Sequence, residues 1–241
     1  MTEHIVTQFD EDLKNLSEMI AEMGGLAEKL VGESISALLR RDLGSAQRII
    51  ATDRTIDRLQ AQIEEKAVLT LAKRQPVAND LREVIAALRI SNDLERIGDL
   101  AKNIAKRIIA LEGQLQSHKV TSGVDHMGEL VLAQLKKVLD AYARRDAVGA
   151  LEVWERDGEI DVLYTSLFRE LLTYMMEDPR NIGFATHLLF CAKNVERIGD
   201  HATNIAETIN YLVTGETLLD ERPKQDLTST TTITYGAEGS E

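Results

Sequence analysis

Apolar residues recur three and four positions apart along most of this chain, which is the spacing of one face of an α-helix. The pattern begins near Phe9 and predicts a first helix to about residue 41, a second over about 45–73 and a third over about 81–111. The pair Gln75-Pro76 ends the second helix, because proline lacks an N–H and keeps the preceding residue out of the helical region.

The same pattern then appears a second time. The segment 95–99 reads Glu-Arg-Ile-Gly-Asp and recurs at 196–200, and the triplet Arg-Arg-Asp occurs at 40–42 and again at 144–146. Similarity at a period of roughly 100 residues indicates two copies of one domain rather than a solenoid of short units. Three amphipathic helices bury a common seam as a bundle, so the sequence predicts an all-α protein of two tandem, similar three-helix bundles.

The repeats set the predicted domain limits. The first three-helix repeat covers 5–112, a polar linker covers 113–123, and the second three-helix repeat covers 124–216. Residues 217–241 are polar and rich in threonine, which predicts a mostly disordered tail.

Composition supports helices and narrows the function. Only 3 prolines and 4% aromatic residues in 241 disfavour sandwiches and barrels. With 40 acidic and 28 basic residues, the net charge of -12 disfavours nucleic acid and anionic lipid and favours cations and basic protein surfaces. No apolar run approaches the roughly 18 residues of a membrane span, so we expect a cytoplasmic protein. The single cysteine, Cys191, is predicted to lie in the core.

Several classes of catalytic site are missing from the sequence. It contains no Gly-rich phosphate loop and no G-x-S-x-G nucleophile elbow. It also contains neither H-E-x-x-H nor the E-x-x-H that ferritin-like di-iron bundles use. We therefore expect His187 and His201 to be packing or surface residues rather than metal ligands.

Acidic residues occur as four pairs with a four-residue spacing, which places both carboxylates of a pair on one helix face. The pairs are Asp53 and Asp57, Glu95 and Asp99, Asp157 and Asp161, and Glu196 and Asp200. If the second and third helices of a repeat face each other, four carboxylates meet in each repeat. Such oxygen-rich clusters suit hard cations such as Mg²⁺, Mn²⁺ or iron.

A plainer interpretation is a solvated helix face, where Arg96 and Arg197 form salt bridges with neighbouring acids. One detail counts against it. Arg54 and Arg58 of the first repeat have no basic counterparts in the second, although the acids recur. From the residues alone, both interpretations stay open.

These motifs resemble the PhoU family of phosphate-uptake regulators. The resemblance rests on E-R-I-G-D-x-x-x-N-I in both halves, on the junction 73–82 and on the stretch 172–179, and it spans about 5–215. It implies two similar three-helix bundles in a cytoplasmic, often homodimeric protein without known catalysis.

The resemblance also implies a function. The protein would repress the phosphate-starvation response when phosphate is plentiful, by contacting a phosphate-sensing membrane histidine kinase and the ATPase subunit of the phosphate ABC transporter. It would meet the membrane only through these partners. Metal clusters in the family lie at E/D-x-x-x-D motifs, here the four acidic pairs. Mg, Mn, Fe and Zn are not distinguished, and no organic cofactor is expected.

We therefore predict a non-enzymatic regulator of phosphate uptake with carboxylate-lined metal sites. One alternative is a carboxylate metalloenzyme acting on phosphate compounds, which would need an open coordination position, a base and a substrate cleft. Another is a plain helical scaffold whose acids only solvate its helices.

Overall fold

The computed structural model describes residues 2–74, 76–111 and 118–218, together with Arg222, Asp226 and Thr228. Within these residues the chain forms seven α-helices and one short 3₁₀ turn. They are α1 (Thr2–Arg40), α2 (Leu43–Arg74), α3 (Asn79–Ala110), α4 (His118–Arg144), α5 (Ala147–Glu155), α6 (Asp157–Glu177), the 3₁₀ turn Pro179–Asn181 and α7 (Ile182–Thr214). No strand occurs in the described ranges, and the all-α prediction is confirmed.

The repeated Arg-Arg-Asp triplet forms the corner between the first and second helices of each repeat. Its second arginine, Arg41 or Arg145, has φ of 55°, the left-handed conformation that ends a helix. The aspartate that follows caps the next helix. Asp42 Oδ1 and Asp146 Oδ1 each accept a hydrogen bond from the backbone N–H three residues ahead, at 2.9 and 3.0 Å. The triplet therefore recurs because both corners have the same geometry.

The second repeat departs from three continuous helices. Where the first repeat has the unbroken α2, the second has α5 and α6, separated at Arg156. The carbonyl of Arg156 accepts a hydrogen bond from Gln134 Nε2 of α4 at 3.2 Å. The same carbonyl accepts from the Glu159 N–H at 3.1 Å, three residues ahead instead of the four of an α-helix. A side-chain donor at such a carbonyl accompanies an interruption of the helical ladder. The break lies directly before Asp157.

The structure describes only parts of the predicted linker and of the predicted tail. Helix α4 already begins at His118, so residues 118–123 of the predicted 113–123 linker are helical, while 112–117 lie outside the described residues. Most of the predicted disordered tail, 217–241, also lies outside them. Two of the described tail residues, Arg222 and Asp226, contact the second repeat, as shown below.

Helices α3 and α7 form the centre of the molecule. Helix α3 packs against α1, α2 and α7, while α7 packs against α4, α5, α6 and α3, and α1 touches α4. Asp93 of α3 contacts His201 of α7, whereas Arg107 lies 4.0 Å from the ring centroid of Phe190, so the two helices run antiparallel. Cys191 is fully buried on α7, as predicted. In the ranges that the structure describes, no helix combines the length and apolar character needed to cross a membrane.

Candidate carboxylate sites

The glycine of each E-R-I-G-D segment allows the second helix of its repeat to approach the third. A Cβ on Gly98 would lie 2.7 Å from Ile56 Cδ1, and a Cβ on Gly199 would lie 2.8 Å from Ile160 Cδ1. Both distances are too short for carbon atoms in contact. Each isoleucine stands between the two members of an acidic pair. The close approach therefore brings the acids of the second helix towards those of the third.

The first carboxylate patch comprises Asp53 and Asp57 of α2 with Glu95 and Asp99 of α3. Lys102 of α3 lies in it, with Nζ 2.5 Å from Asp53 Oδ2 and 2.5 Å from Asp99 Oδ1. Asp53 is 2% exposed, so this ammonium provides the positive charge that a buried carboxylate requires. The lysine thus joins α2 to α3.

Electrostatics couple all four acids of the first patch. Burial raises the pKa of Glu95, and the negative charges of Asp99, Asp57 and Asp53 raise it further. Burial also raises the pKa of Asp53, although the hydrogen bond from Lys102 opposes that shift. Burial lowers the pKa of Lys102, but its bonds to two carboxylates outweigh burial and raise the pKa overall. The patch therefore holds excess negative charge even with the lysine present.

The second carboxylate patch comprises Asp157 and Asp161 of α6 with Glu196 and Asp200 of α7. Its positive charge comes from Arg222, beyond the end of α7. The Nε of Arg222 lies 2.7 Å from Asp157 Oδ2, and its Nη2 lies 3.4 Å from Asp200 Oδ1. The break before α6 places Asp157 in the first turn of that helix, 4% exposed.

A second cation, Lys193, serves the other side of this patch. Its Nζ lies 2.8 Å from Glu196 Oε1 and 2.9 Å from Asp226 Oδ2. Burial raises the pKa of Glu196 to about 7, the charges of Asp200 and Asp161 reinforce the shift, and Lys193 opposes it. Glu196 is therefore partly protonated near neutral pH.

The two repeats neutralise equivalent acids with different residues. An offset of 101 residues aligns Lys102 with Thr203, and each donates to the aspartate that begins its acidic pair: Thr203 Oγ1 lies 2.8 Å from Asp157 Oδ1. A hydroxyl carries no charge. The second patch therefore needs a cation from elsewhere, and Arg222 provides it.

Comparison with known proteins identifies the family. The PhoU domain family matches residues 20–108 and 124–209, one match in each repeat. A Rhizobium meliloti protein named "Phosphate-specific transport system accessory protein PhoU homolog" is 60% identical over 227 residues, 94% of this chain and 96% of the relative. The chain belongs to the PhoU family.

Other relatives cover the same extent. A Caulobacter vibrioides protein with the same name is 52% identical over 95% of this chain and 100% of its own length. The crystal structure of PhoU from Pseudomonas aeruginosa superposes with a TM-score of 0.84 at 42% identity, over 86% of this chain and 100% of that one. The structure of the phosphate transport system regulatory protein PhoU from Streptococcus pneumoniae gives 0.80 at 33% identity, over 87% and 99%.

The PhoU resemblance implies metal at these acids, and their chemistry suits it in part. Each patch offers only oxygen donors, and three buried oxygens have no hydrogen-bond partner among the described residues: Asp53 Oδ1, Asp157 Oδ2 and Glu196 Oε2. However, no three His, Cys, Asp or Glu side chains in the described ranges converge as ligands of one ion. Lys102 and Arg222 lie between the carboxylates, so a metal would have to displace them. The metal sites stay a prediction.

The sequence pattern selected the eight acids and also Arg96, whose Nε lies 3.5 Å from Glu95 Oε2, but it missed Lys102 and Arg222. Lys102 stands three positions after Asp99 on the same helix face. This spacing predicts the ion pair between Lys102 and Asp99. Arg222 gives no such signal, because helical periodicity says nothing about where a polar tail lies. Asp93 was also missed: its Oδ1 lies 2.8 Å from His201 Nδ1, which makes His201 a packing residue of the α3–α7 interface.

Proposed function

We propose that this protein is an accessory protein of a phosphate-specific transport system. In this proposal it restrains phosphate uptake and the phosphate-starvation response by binding other proteins, without catalysing a reaction. The observation that carries the proposal is the 60% identity, across 94% of the chain, to a protein named for that role. The similarity extends over both repeats, so it supports a shared role of the whole protein and not only a shared domain.

The proposed partners are the ATPase subunit of the phosphate ABC transporter and a phosphate-sensing membrane histidine kinase, both reached from the cytoplasm. The net charge of the molecule, -12, supports binding to basic surfaces. Complementary charge raises the rate of association and fixes orientation. We also propose a homodimer, which light scattering of the purified protein tests.

The patches have a second proposed role as sites for divalent or iron cations. Oxygen ligands and excess negative charge support it. The ion pairs of Lys102 and Arg222 agree equally well with the plainer interpretation of salt-bridged acids, so substitutions must separate the two. The metalloenzyme alternative gains no support, because the described residues form no group of three or more His, Cys, Asp or Glu side chains placed to hold one metal ion.

A complementation experiment tests the proposal. In a bacterium lacking its own PhoU-family gene, a reporter of phosphate starvation should be active at high phosphate, and this chain should silence it. A patch variant carrying Asp57→Asn, Glu95→Gln and Asp99→Asn should silence it less. The matched control carries Glu64→Gln and Glu65→Gln on the exposed face of the same α2 helix and should behave as the wild type.

Two outcomes of this experiment have distinct meanings. If the wild type leaves the reporter active, the proposed function fails. If the patch variant silences it fully, the first patch does not contact the partners. Binding of the purified ATPase subunit to wild-type, patch and control proteins then shows whether a loss of silencing reflects a loss of docking.

A further inference from the structure

We propose that the second carboxylate patch is a guanidinium-binding site whose resident ligand is the chain's own C-terminal segment, and that a divalent cation binds there only by displacing Arg222. The contacts of Arg222 stand apart from the proposed function, whereas the competition with a cation rests on the metal role proposed above for the patches.

Arg222 is held as a ligand is held in a binding site. Its Nη2 donates to Asp157 Oδ1 at 3.0 Å and to the Asp200 carbonyl at 2.8 Å, and its Nη1 donates to Asn204 Oδ1 at 3.2 Å. Its Nε lies 2.7 Å from Asp157 Oδ2 as an ion pair without hydrogen-bond geometry, so the hydrogen bonds come from the two terminal nitrogens. The side chain is 17% exposed, although Arg222 lies beyond the last residue of α7, Thr214. Planar guanidinium groups are suited to such multidentate recognition of carboxylates.

Asp226 makes a second ion pair, in which the tail residue is the acid and the residue of α7 is the base. Asp226 accepts from Lys193 at 2.9 Å, and its other oxygen accepts from the Thr228 N–H at 2.9 Å and the Thr228 hydroxyl at 2.6 Å. A basic residue therefore meets the acids of the patch, and an acidic residue meets its lysine. Reversing the segment would bring like charges together, so this charge order selects one orientation.

The binding site extends to the boundary between the repeats. Asn204, which accepts from Arg222, donates through Nδ2 to Asp93 Oδ1 of α3 at 3.2 Å. The same Asp93 oxygen contacts His201. Loss of Arg222 from its site would therefore remove one partner from a hydrogen-bonded chain that links α7 to α3.

Among the residues that the structure describes, the first patch has no comparable exchangeable ligand. Its cation, Lys102, belongs to α3 and contacts Asp99 of the same helix, so it leaves only by rotating its side chain. Arg222 reaches the second patch from a segment outside the helices. A cation that competes for the same carboxylates cannot bind while the guanidinium remains, and each must weaken the other's binding.

Titration of the metal-free full-length chain with Mn²⁺ tests this competition. Calorimetry should show that Arg222→Gln binds one Mn²⁺ about tenfold or more tightly than the wild type, the ratio expected when one charge-assisted competitor is lost. The control Arg169→Gln, the same change on an exposed residue of α6, should bind as the wild type does. The gain should disappear in the double variant Arg222→Gln/Asp157→Asn.

Two results would overturn the inference. One is an Arg222→Gln variant that binds Mn²⁺ no more tightly than the wild type, or not at all. The other comes from thermal unfolding without metal. If Arg222 binds Asp157, the shifts in Tm caused by Arg222→Gln and Asp157→Asn should be strongly non-additive, and simple additivity would show that the two residues do not interact.

Discussion

Lys102 and Asp53 form an ion pair between α3 and α2, with Nζ 2.5 Å from Oδ2. The side chain of Asp53 is 3% exposed and that of Lys102 is 20% exposed, so the carboxylate relies on the lysine while the lysine keeps some contact with water. Because Asp53 is the more buried of the two, loss of the lysine should destabilise the fold more than loss of the aspartate.

Replacing the lysine should destabilise the fold. Lys102→Met leaves Asp53 buried without its counter-ion, and we expect the free energy of unfolding to fall by about 2 kcal/mol. Urea denaturation of metal-free protein measures this. Adding Asp53→Asn should restore part of the loss, because the uncompensated charge is gone. Lys106→Met, on the exposed face of α3, is the control and should change little; an equal loss there would contradict the ion-pair explanation.

The close contact of Gly98 with Ile56 predicts compensating substitutions. Gly98→Ala gains about 1 kcal/mol of helix propensity but forces a methyl against Ile56 Cδ1, which costs about 1–3 kcal/mol. Ile56→Val removes that Cδ1 atom. We therefore expect the double variant to be more stable than the sum of the single changes by about 1 kcal/mol.

Denaturant unfolding of the four proteins measures this coupling. Gly25→Ala is the matched control, because a Cβ there meets nothing within 4 Å and should bring only the gain in propensity. Additive effects at Gly98 and Ile56 would show that the two helices can separate without cost.

Glu196 should make stability depend on pH in the metal-free protein. Its pKa rises from an ordinary 4.5 to about 7 in the fold, so the folded state binds the proton more tightly. This contribution is complete below about pH 4.5 and is lost as the pH rises through 7. Between pH 5 and pH 8 the wild type should lose about 2 kcal/mol relative to Glu196→Gln.

Unfolding of both proteins at several pH values tests this sign. The charged groups near Glu196 are Lys193, Asp200 and Asp161, and Asp226 shares Lys193 with it. Because Lys193 opposes the shift, Lys193→Met should move the loss to higher pH. A wild type that gains stability over Glu196→Gln as the pH rises would contradict the prediction.

Cys191 should resist alkylation in the native protein. It is fully buried, and burial raises the pKa of its thiol to about 12, so the reactive thiolate is scarce. Iodoacetamide followed by mass spectrometry should label it only in denaturant. Val148→Cys places a second thiol at a 70% exposed position as the positive control. Rapid native labelling of Cys191 would indicate that α7 opens locally.

The helical pattern was sufficient to predict the architecture, for reasons visible in single elements. Helix α2 buries one regular stripe, so its period of 3.6 residues is plain in the sequence. The two Arg-Arg-Asp corners repeat because each needs the same left-handed residue and the same cap. The break at Arg156, where Gln134 of another helix donates to the backbone carbonyl, was not predicted, because periodicity describes one helix at a time.

The candidate sites were only half predictable. Four-residue spacing selects Asp53 and Asp57, since it places them on one face, and the glycines explain how the second pair meets them. The cations that neutralise these acids could not be predicted, because they come from distant parts of the chain. Lys102 reaches another helix, and Arg222 comes from a polar segment without periodicity.

A duplicated protein has two equivalent halves but a single C-terminus. Arg222 lies at the second patch, so the segment after α7 makes the two similar repeats differ. The first repeat carries a lysine at position 102, where the second carries a threonine at 203. The first repeat thus neutralises its buried aspartate from within its third helix, whereas the second does so with an arginine that lies beyond its last helix.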